Sequence, residues 1–448
     1  MQRGRSFTVN YTAPDGKFAS SYPALANLPF ILDSRPGYHR HGNRYLIDRG
    51  LGRWGPKVSV GGLVRRIPSP RSMRTYAEWL ANFLEWAELR GVDVTTCDYM
   101  THVAGRYQQE MLKGLWSRDG NGLSPSTVNV RVQQACEFLT WMHDMGHRPQ
   151  FQVPYSTMRL RKGSATSSIG HVGFEVSVRD GKVRQKKRVL RMPSDELVSK
   201  WLGRVYQRRG LTLGLLCETV LLTAMRREEV VSLHADVLHE QPDQWHIANP
   251  LAPPEQQQVR ITIKYGTKGP YYGVSEQGDK IGPERDILIP LPLAQKWHSY
   301  RRHQRNSAFA KWMLGVKGAA RHIRAKQCVH LFLRESDGAR FTGPNLYDAW
   351  TSVELPIDSW SPHDGRHWWA CSVLWRELKN QSVVQDTLSG ETAAALLDST
   401  ALGVIRLQIQ PQLGHSDEAT TMLYLRWVRD MVGIPVLLDL DEIITGEA

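Results

Sequence analysis

Four segments in the carboxyl-terminal half of the sequence contain residues that could bind a charged substrate, transfer a proton or attack an electrophile. They are TAMRREEV, ITIKYGTKGPYYG, SPHDGRHWW and LGHSDEATTMLY. Arginine and lysine supply positive charge and hydrogen-bond donors, histidine transfers protons near neutral pH, and tyrosine becomes a nucleophile once its proton is removed. Each segment alone also has an ordinary explanation: a surface arginine, a hairpin, a buried histidine or a tyrosine that packs on a helix.

The charge of the chain is unevenly distributed. Fifty-seven Lys and Arg residues against 44 Asp and Glu residues give a net charge of +13. Residues 1–71 hold twelve basic and three acidic residues, and residues 156–193 hold ten and two. Such clusters favour a polyanionic partner, because each cation that contacts a phosphate releases condensed counterions. A solvated basic surface without a ligand is the alternative.

Composition excludes several classes of protein. A length of 448 residues predicts two or three domains, and 41% hydrophobic with 23% charged residues excludes a disordered chain. The five cysteines are widely scattered without a CxxC pair, which argues against a disulfide framework or a zinc site. No apolar run approaches the roughly 18 residues of a membrane span. These features predict a cytoplasmic protein.

The amino-terminal third divides into two predicted parts. Residues 1–68 are rich in Gly, Pro, Tyr and Arg with little helical periodicity, which favours a basic arm of loops and short strands. Residues 69–155 are predicted to form a small helical bundle, whose second helix begins at Ser124 and Pro125. The apolar stripes of the two helices are Tyr76, Leu80, Phe83, Leu84 and Ala87, then Val128, Val132, Ala135, Leu139 and Met142, and the helices are expected to end at Gly91 and Gly146.

The pattern changes after residue 155. In residues 156–193, FEVSVRDGKVRQKK alternates around Asp180-Gly181, which predicts a two-residue hairpin turn in a basic linker. Ser194 is expected to cap the first helix of a larger, mostly helical domain over residues 194–429. Strand-like runs interrupt this domain at VRITIK and RDILIPLP, and an acidic tail follows at residues 430–448.

The order and internal spacing of the four segments together resemble the catalytic domain of tyrosine recombinases, the phage integrase family. That family typically has T-G-x-R-x-x-E, a lysine in a hairpin, H-x-L-R-H, and L-G-H followed by T-T-x-x-Y. The resemblance covers about residues 194–430, and residues 69–155 are similar to the family's helical core-binding domain. It implies a multidomain, mainly α protein, in which this helical domain precedes a mixed α/β, mostly helical catalytic domain with a small antiparallel sheet.

The resemblance implies roles for individual residues. Tyr424 would be the nucleophile, Arg226 and Arg366 the phosphate-clamping arginines, His363 and His415 the two histidines, Lys268 the hairpin lysine and Glu229 the supporting acid. Lys264 and Lys280 remain alternatives to Lys268, because the stretch before RDILIPLP is long. DNA contacts are expected at Arg159, Arg161, Lys162, Lys182, Arg184, Lys186, Lys187 and Arg188 of the basic linker.

Phosphodiester exchange calls for these residue types. Two planar guanidinium groups can hold the non-bridging oxygens of a pentavalent phosphorus while negative charge develops on them. A phenol with a pKa near 10 needs a base to remove its proton, for which His363 is the candidate, and Lys268 can protonate the departing 5′ oxygen. No metal or cofactor is expected, since the arginines and the lysine supply the positive charge.

The sequence departs from the family pattern in four places. Ala224 replaces the usual glycine, which is expected to be harmless because alanine favours helices. Gly365 replaces a common leucine, and Trp368-Trp369 are bulkier than usual. The gap of 49 residues from Arg366 to His415 (415 − 366) is longer than is usual in the family, which indicates an inserted helical element.

The implied activity is site-specific recombination of duplex DNA at inverted-repeat core sites, for integration or excision of a mobile element. Strands would be exchanged through a 3′-phosphotyrosine and a Holliday junction by a nucleoid-associated homotetramer without a membrane partner. The tail, whose apolar run is Ile434–Leu440, is expected to dock on a neighbouring protomer. A type IB topoisomerase or a hairpin telomere resolvase would use similar chemistry, and a non-catalytic DNA-binding regulator is the alternative from another class.

Overall fold

The computed structural model describes residues 7–12, 17–56, 67–160, 174–185, 190–263, 284–380, 400–414 and 423–428. The described residues form two compact units, one within residues 1–187 and the other within residues 188–436. Helices dominate both, and the described strands form three two-stranded antiparallel sheets. The mainly α fold class with small antiparallel sheets is therefore confirmed. Among the helices in the described ranges, none combines the length and the apolar character that crossing a bilayer requires.

The first unit consists of two small sheets and a set of packed helices. Its elements are β1 (Thr8–Asn10), α1 (Lys17–Ser21), β2 (Phe30–Leu32), α2 (Arg40–Gly50), α3 (Pro70–Leu89), a π-helical segment (Tyr99–Gln108) that continues into α4 (Gln109–Leu112), α5 (Pro125–Asp144), β3 (Tyr155–Leu160) and β4 (Phe174–Arg179). In the sheets β1 pairs with β2, and β3 pairs with β4.

The two long helices of this unit form where the sequence predicts them. The Ser69 and Ser124 hydroxyls accept hydrogen bonds from backbone N–H groups of the first turns of α3 and α5, and a proline follows each serine. Gly91 and Gly146 adopt φ values of +63° and +73° just beyond the helix ends. The predicted apolar stripes are buried, except that Tyr76 is half-buried.

The prediction that residues 1–68 contain only loops and short strands was wrong for residues 40–50, which form the helix α2. Tyr45 of this helix is fully buried and packs edge-on against Phe138 and Trp141 of α5. Part of the buried face of α2 is polar: the Asn43 side-chain oxygen accepts from Ile31 N at 2.6 Å, and its amide donates to Ile31 O at 2.9 Å. Because polar side chains are buried through specific hydrogen bonds, hydrophobic periodicity did not show this helix.

The hairpin predicted at Asp180-Gly181 was also wrong. β4 pairs with β3, which precedes it, and residues 182–185 form no strand. Asp180 and Gly181 do form a turn, but both backbone groups of Val183 are taken by the Asn129 side chain of α5, at 2.9 Å to its N–H and 2.8 Å to its carbonyl. The chain after the turn therefore packs on a helix, where its backbone hydrogen bonds are satisfied without a second strand.

The second unit combines one sheet with most of the remaining helices. Its elements are α6 (Asp195–Thr223), α7 (Arg227–Val231), β5 (Gln258–Ile263), β6 (Arg285–Pro290), α8 (Leu291–Tyr300), a π-helical segment (Arg301–Arg305), α9 (Asn306–Trp312), α10 (Ala319–Gln327), α11 (Gly343–Trp350), α12 (Pro362–Asn380), a second π-helical segment (Ile405–Ile409) and α13 (Gln410–Leu413), with short 3-10 turns at Ala235–Val237, Pro242–Gln244 and Pro254–Gln256. Residues 400–404 and 423–428 are also helical. Ser194 caps α6 as predicted, and β5 and β6 pair as an antiparallel ribbon.

Three tryptophan rings lie beneath the start of α12 and explain why position 365 is a glycine. Ring centroids of Trp201, Trp350 and Trp360 lie 4.4–4.9 Å apart. A Cβ at Gly365 would lie 2.5 Å from the Trp350 ring, so no larger side chain fits unless that ring moves. The departure from the leucine of the family pattern is therefore matched by tryptophan on the facing helix α11.

Candidate active site

Arg226 is presented by a sharp turn between α6 and α7. Ala224 ends α6 in the left-handed conformation, with φ +52° and ψ 23°, and Arg226 precedes α7 in an extended conformation. The expectation that Ala224 is harmless because alanine favours helices was wrong, since the residue is not helical. A left-handed conformation costs an L-residue about 1–2 kcal/mol relative to glycine.

Glu229 is fully buried between two arginines, only one of which was predicted. Its Oε1 atom accepts from Arg226 Nη1 at 3.0 Å, and its Oε2 atom accepts from the Arg226 backbone N–H at 2.8 Å. Arg285, the first residue of β6, donates to both oxygens of the same carboxylate at 2.8 Å. Such a bidentate pair fixes the guanidinium plane as well as its position.

The arginines also determine the charge of Glu229. Burial alone would raise the pKa of this carboxyl group, but hydrogen bonds and charge attraction from Arg285 and Arg226 lower it below its usual value. Glu229 is therefore ionised at neutral pH and holds the two cations in place.

Arg366 is the most deeply buried cation of the site, with 1% of the residue exposed. It lies on α12 and donates to the Ala224 and Leu413 carbonyls. Burial and the positive charges of Arg226 and Arg285 lower the pKa of Arg366 to about 9, and Glu229 and Tyr424 act in the opposite direction. The group remains cationic at neutral pH, and all four neighbours influence it.

The three arginines meet at three consecutive backbone carbonyls. The pairs are Arg285 Nε with Gln412 O at 3.4 Å, Arg366 Nη2 with Leu413 O, and Arg226 Nη2 with Gly414 O at 3.4 Å. These carbonyls lie at the carboxyl-terminal end of α13, where the last carbonyls of a helix have no partner within the helix. Side chains from α12, β6 and the α6–α7 turn are thereby brought to one point.

The backbone at this point depends on Gly414 and Gln412. Gly414 has a φ of +60°, and a Cβ there would lie 2.9 Å from the Arg285 side chain. The buried Gln412 amide donates to Thr223 O and Leu288 O, both at 2.9 Å, and its side-chain oxygen accepts from Leu288 N at 2.9 Å. One side chain thus joins the end of α6 to β6 and α13.

The Tyr424 hydroxyl lies 2.9 Å from Nδ1 of His367. Both residues are buried, with 1% and 4% of their surface exposed. His363, the predicted proton acceptor, is exposed, and its ring lies 4.6 Å from the His367 ring in an edge-on arrangement. The histidine nitrogen at hydrogen-bond distance from the tyrosine therefore belongs to the second histidine of HDGRH.

The structure brings together Arg226, Glu229, Arg366 and Tyr424 of the predicted site. His415, Lys268 and the alternatives Lys264 and Lys280 lie outside the described residues, as do the tail at 430–448 and Arg161, Lys162, Lys186, Lys187 and Arg188. Arg159 lies on β3, and Lys182 and Arg184 are exposed after β4, all in the first unit. In the described ranges no three His, Cys, Asp or Glu side chains are grouped to hold a metal ion.

Sequence reasoning missed Arg285, His367 and Gln412. Each stands beside a recognised motif: Arg285 begins RDILIPLP, His367 ends HDGRH, and Gln412 precedes LGH. Their positions were visible, but nothing in the local sequence indicates which distant group each side chain contacts.

Comparison with known proteins gives structural likenesses only. No family model matches the sequence, and no curated protein matches it. The Tn1549 transposon integrase in complex with transposon right end DNA aligns over 87% of this chain and 98% of its own, with 12% identity and a TM-score of 0.46. The XerH site-specific recombinase bound to difH substrate aligns over 88% of this chain and 94% of its own, with 15% identity and a TM-score of 0.42. The XerA recombinase aligns over 88% of this chain and 98% of its own, with 12% identity and a TM-score of 0.30.

Ala224→Gly should stabilise the protein, because glycine adopts the left-handed conformation without strain. We expect the free energy of unfolding to rise by about 1 kcal/mol and Tm by about 2–4 °C, measured by thermal and urea unfolding. Ala370→Gly, at an equally buried position inside α12, is the matched control and should destabilise by about 1 kcal/mol. A loss of stability in both variants would contradict the prediction.

Glu229→Gln should change how stability depends on pH. Because folding lowers the pKa of Glu229, its contribution is present above the unfolded-state pKa of about 4.3 and is lost as the pH falls through the lower folded-state value. At neutral pH we expect a loss of about 3–5 kcal/mol, because the buried Arg285 and the half-buried Arg226 lose their counter-charge. Urea unfolding from neutral to acidic pH should show the difference shrinking.

The control for this prediction is Glu228→Gln, on the partly exposed neighbour that pairs with Arg227. Its effect should be much smaller at every pH. If the difference in free energy of unfolding between the wild type and Glu229→Gln stays constant with pH, the stabilising role of the Glu229 charge is contradicted.

Proposed function

We propose that this chain is a tyrosine recombinase that cleaves and rejoins duplex DNA with Tyr424 as the nucleophile. One observation carries the proposal. The Tyr424 hydroxyl lies 2.9 Å from His367, which follows Arg366 directly on α12. The guanidinium groups of Arg366 and Arg226 donate to the adjacent carbonyls of Leu413 and Gly414, so segments far apart in the sequence meet in one cluster.

The charge of this cluster suits a phosphodiester. Three arginines and one glutamate leave an excess of two positive charges in a largely buried site, where electrostatic attraction is stronger than in water. Arg226 is the most exposed of the three, with 30% of its side chain accessible, and so is placed to meet a phosphate first. Donors held in place before the reaction stabilise the charge that develops on the non-bridging oxygens.

The proposed cleavage step transfers one bond. The Tyr424 oxygen attacks phosphorus, the bond to the 5′ oxygen breaks, and a 3′-phosphotyrosine forms. The phenolic proton passes to a histidine, and the departing 5′ oxygen takes a proton from the hairpin lysine, for which we favour Lys268. Attack by the 5′ hydroxyl of another strand reverses the step and frees Tyr424.

The resting position of Tyr424 adds one requirement. With 1% of the residue exposed, its hydroxyl cannot reach a phosphate unless neighbouring side chains move. We therefore propose that DNA binding and tyrosine exposure are coupled. In this proposal a homotetramer on inverted-repeat sites exchanges strands through a Holliday junction to integrate or excise a mobile element, with the tail at 430–448 docked on a neighbouring protomer.

Tyr424→Phe should bind DNA as the wild type does and form no covalent adduct, because only the attacking oxygen is removed. Binding and covalent trapping are measured on a nicked duplex built from the inverted repeats beside the coding region. An adduct that persists in the variant would place the nucleophile elsewhere. Strand exchange between two duplexes would indicate a recombinase, whereas relaxation of a single duplex without exchange would indicate a type IB topoisomerase.

Variants of the two histidines identify the proton acceptor. Asparagine keeps an amide near the Nδ1 position but cannot take a proton, so His367→Asn should slow adduct formation by about 10²–10⁴-fold. His363→Asn should form the adduct at a rate close to that of the wild type. The reverse result would assign the proton transfer to His363, as the sequence predicts, and would make His367 a positioning residue.

A further inference from the structure

Residues 287–334 of the second unit contain ten Lys and Arg residues and no Asp or Glu. This segment runs from within β6 through α8, α9 and α10. It lies outside the two basic segments at 1–71 and 156–193, and none of its Lys or Arg residues belongs to the candidate active site. Its charge therefore needs a separate explanation.

Six of these ten cations have partners within the protein, among them Lys311, which donates to the Glu335 carbonyl at 2.5 Å. Lys296 pairs with Glu218 at 2.6 Å, and Arg334 pairs with Asp337. Arg301 and Arg305 donate to backbone carbonyls of neighbouring loops, the first to Ala235, Leu238 and His239 and the second to Cys328 and His330. Arg324 stacks on the Trp312 ring, with its guanidinium carbon 3.6 Å from the ring centroid.

Three other cations lie on or beside α10 and have no acidic partner among the described residues. We call Lys317, Arg321 and Lys326 the α10 surface. All three are exposed, and in the part of the chain that the structure describes none of them forms an ion pair. Arg321 makes one long contact to a backbone carbonyl, Val316 O at 3.5 Å.

The construction of α10 indicates that the helix serves this surface. None of its residues is buried, so it adds little to the core. It is attached instead through Arg324 and Trp312: besides the ring contact, Trp312 Nε1 donates to Arg324 O at 3.0 Å, and Arg324 Nε donates to Trp312 O at 3.3 Å. Helices gain most of their stability by burying an apolar face, so a short exposed helix with like charges needs another role.

We propose that the α10 surface is a second DNA-binding surface, which contacts phosphates of duplex DNA independently of the active site. A nine-residue helix is about 14 Å long and spans about four base-pair steps. Flexible, exposed lysine and arginine side chains on a convex helix suit sequence-independent phosphate contacts. The inference rests on the proposed function only in taking duplex DNA as the partner.

The test compares two variants of equal charge change in the full-length protein. Lys317→Gln, Arg321→Gln and Lys326→Gln together neutralise the α10 surface. Lys200→Gln, Arg208→Gln and Arg209→Gln neutralise three exposed cations of α6 as the matched control. Affinity for a fluorescent duplex of random sequence is measured between about 50 and 200 mM salt, because phosphate contacts appear in the slope of log affinity against log salt concentration.

The α10 variant should have a slope smaller than that of the wild type by about two to three, roughly one for each lost phosphate contact. The control should keep a slope close to that of the wild type. Because α10 buries no residue, the variant should retain the wild-type Tm and, at saturating protein, form the Tyr424 adduct.

Equal slopes for the two variants would overturn the inference. If the wild type binds duplex DNA and forms its adduct while the α10 variant keeps the full slope, only the second surface is refuted. Absence of DNA binding by the wild type would refute the proposed function as well. Loss of binding to poly-glutamate in the α10 variant, with its DNA slope unchanged, would assign the surface to an acidic protein and refute DNA as its partner.

Discussion

The arrangement of the second unit depends on one interaction, in which three arginine guanidinium groups donate hydrogen bonds to three successive backbone carbonyls. Like charges repel strongly in a site of low dielectric constant, so cations from three elements can meet only where negative charge and carbonyl dipoles surround them. The Glu229 carboxylate holds two of them, and the carbonyls of residues 412–414 accept from all three. The excess of positive charge that remains is what a phosphodiester would neutralise.

Backbone conformation makes this arrangement possible. Ala224 and Gly414 are in the left-handed conformation and turn the chain where backbone carbonyls face the arginines. Position 414 is a glycine, because a Cβ there would lie too close to the Arg285 side chain. The Gln412 amide then ties α6, β6 and α13 together through three hydrogen bonds. A strained alanine at one turn is consistent with a site in which local strain is offset by surrounding contacts.

Two features of the second unit separate DNA binding from cleavage in our proposals. The tyrosine lies buried against His367, so the chain can hold DNA before its nucleophile is available. The α10 surface offers phosphate contacts that use none of the active-site arginines. Binding energy from a remote surface can then contribute to the rearrangement that exposes the hydroxyl.

The sequence by itself determined the local features of this protein. Serine caps, prolines at helix starts, glycines beyond helix ends and apolar stripes depend on neighbours within one or two turns, so α3, α5 and the start of α6 could be predicted. The resemblance to the tyrosine recombinase motifs also implied that Arg226, Glu229, Arg366 and Tyr424 belong to one site. The tertiary structure alone decided which groups meet across long separations: Arg285 with Glu229, His367 with Tyr424, and Val183 with Asn129 in place of a hairpin. Such contacts follow from how whole elements pack and from where polar groups must be satisfied, and no short stretch of sequence contains that information.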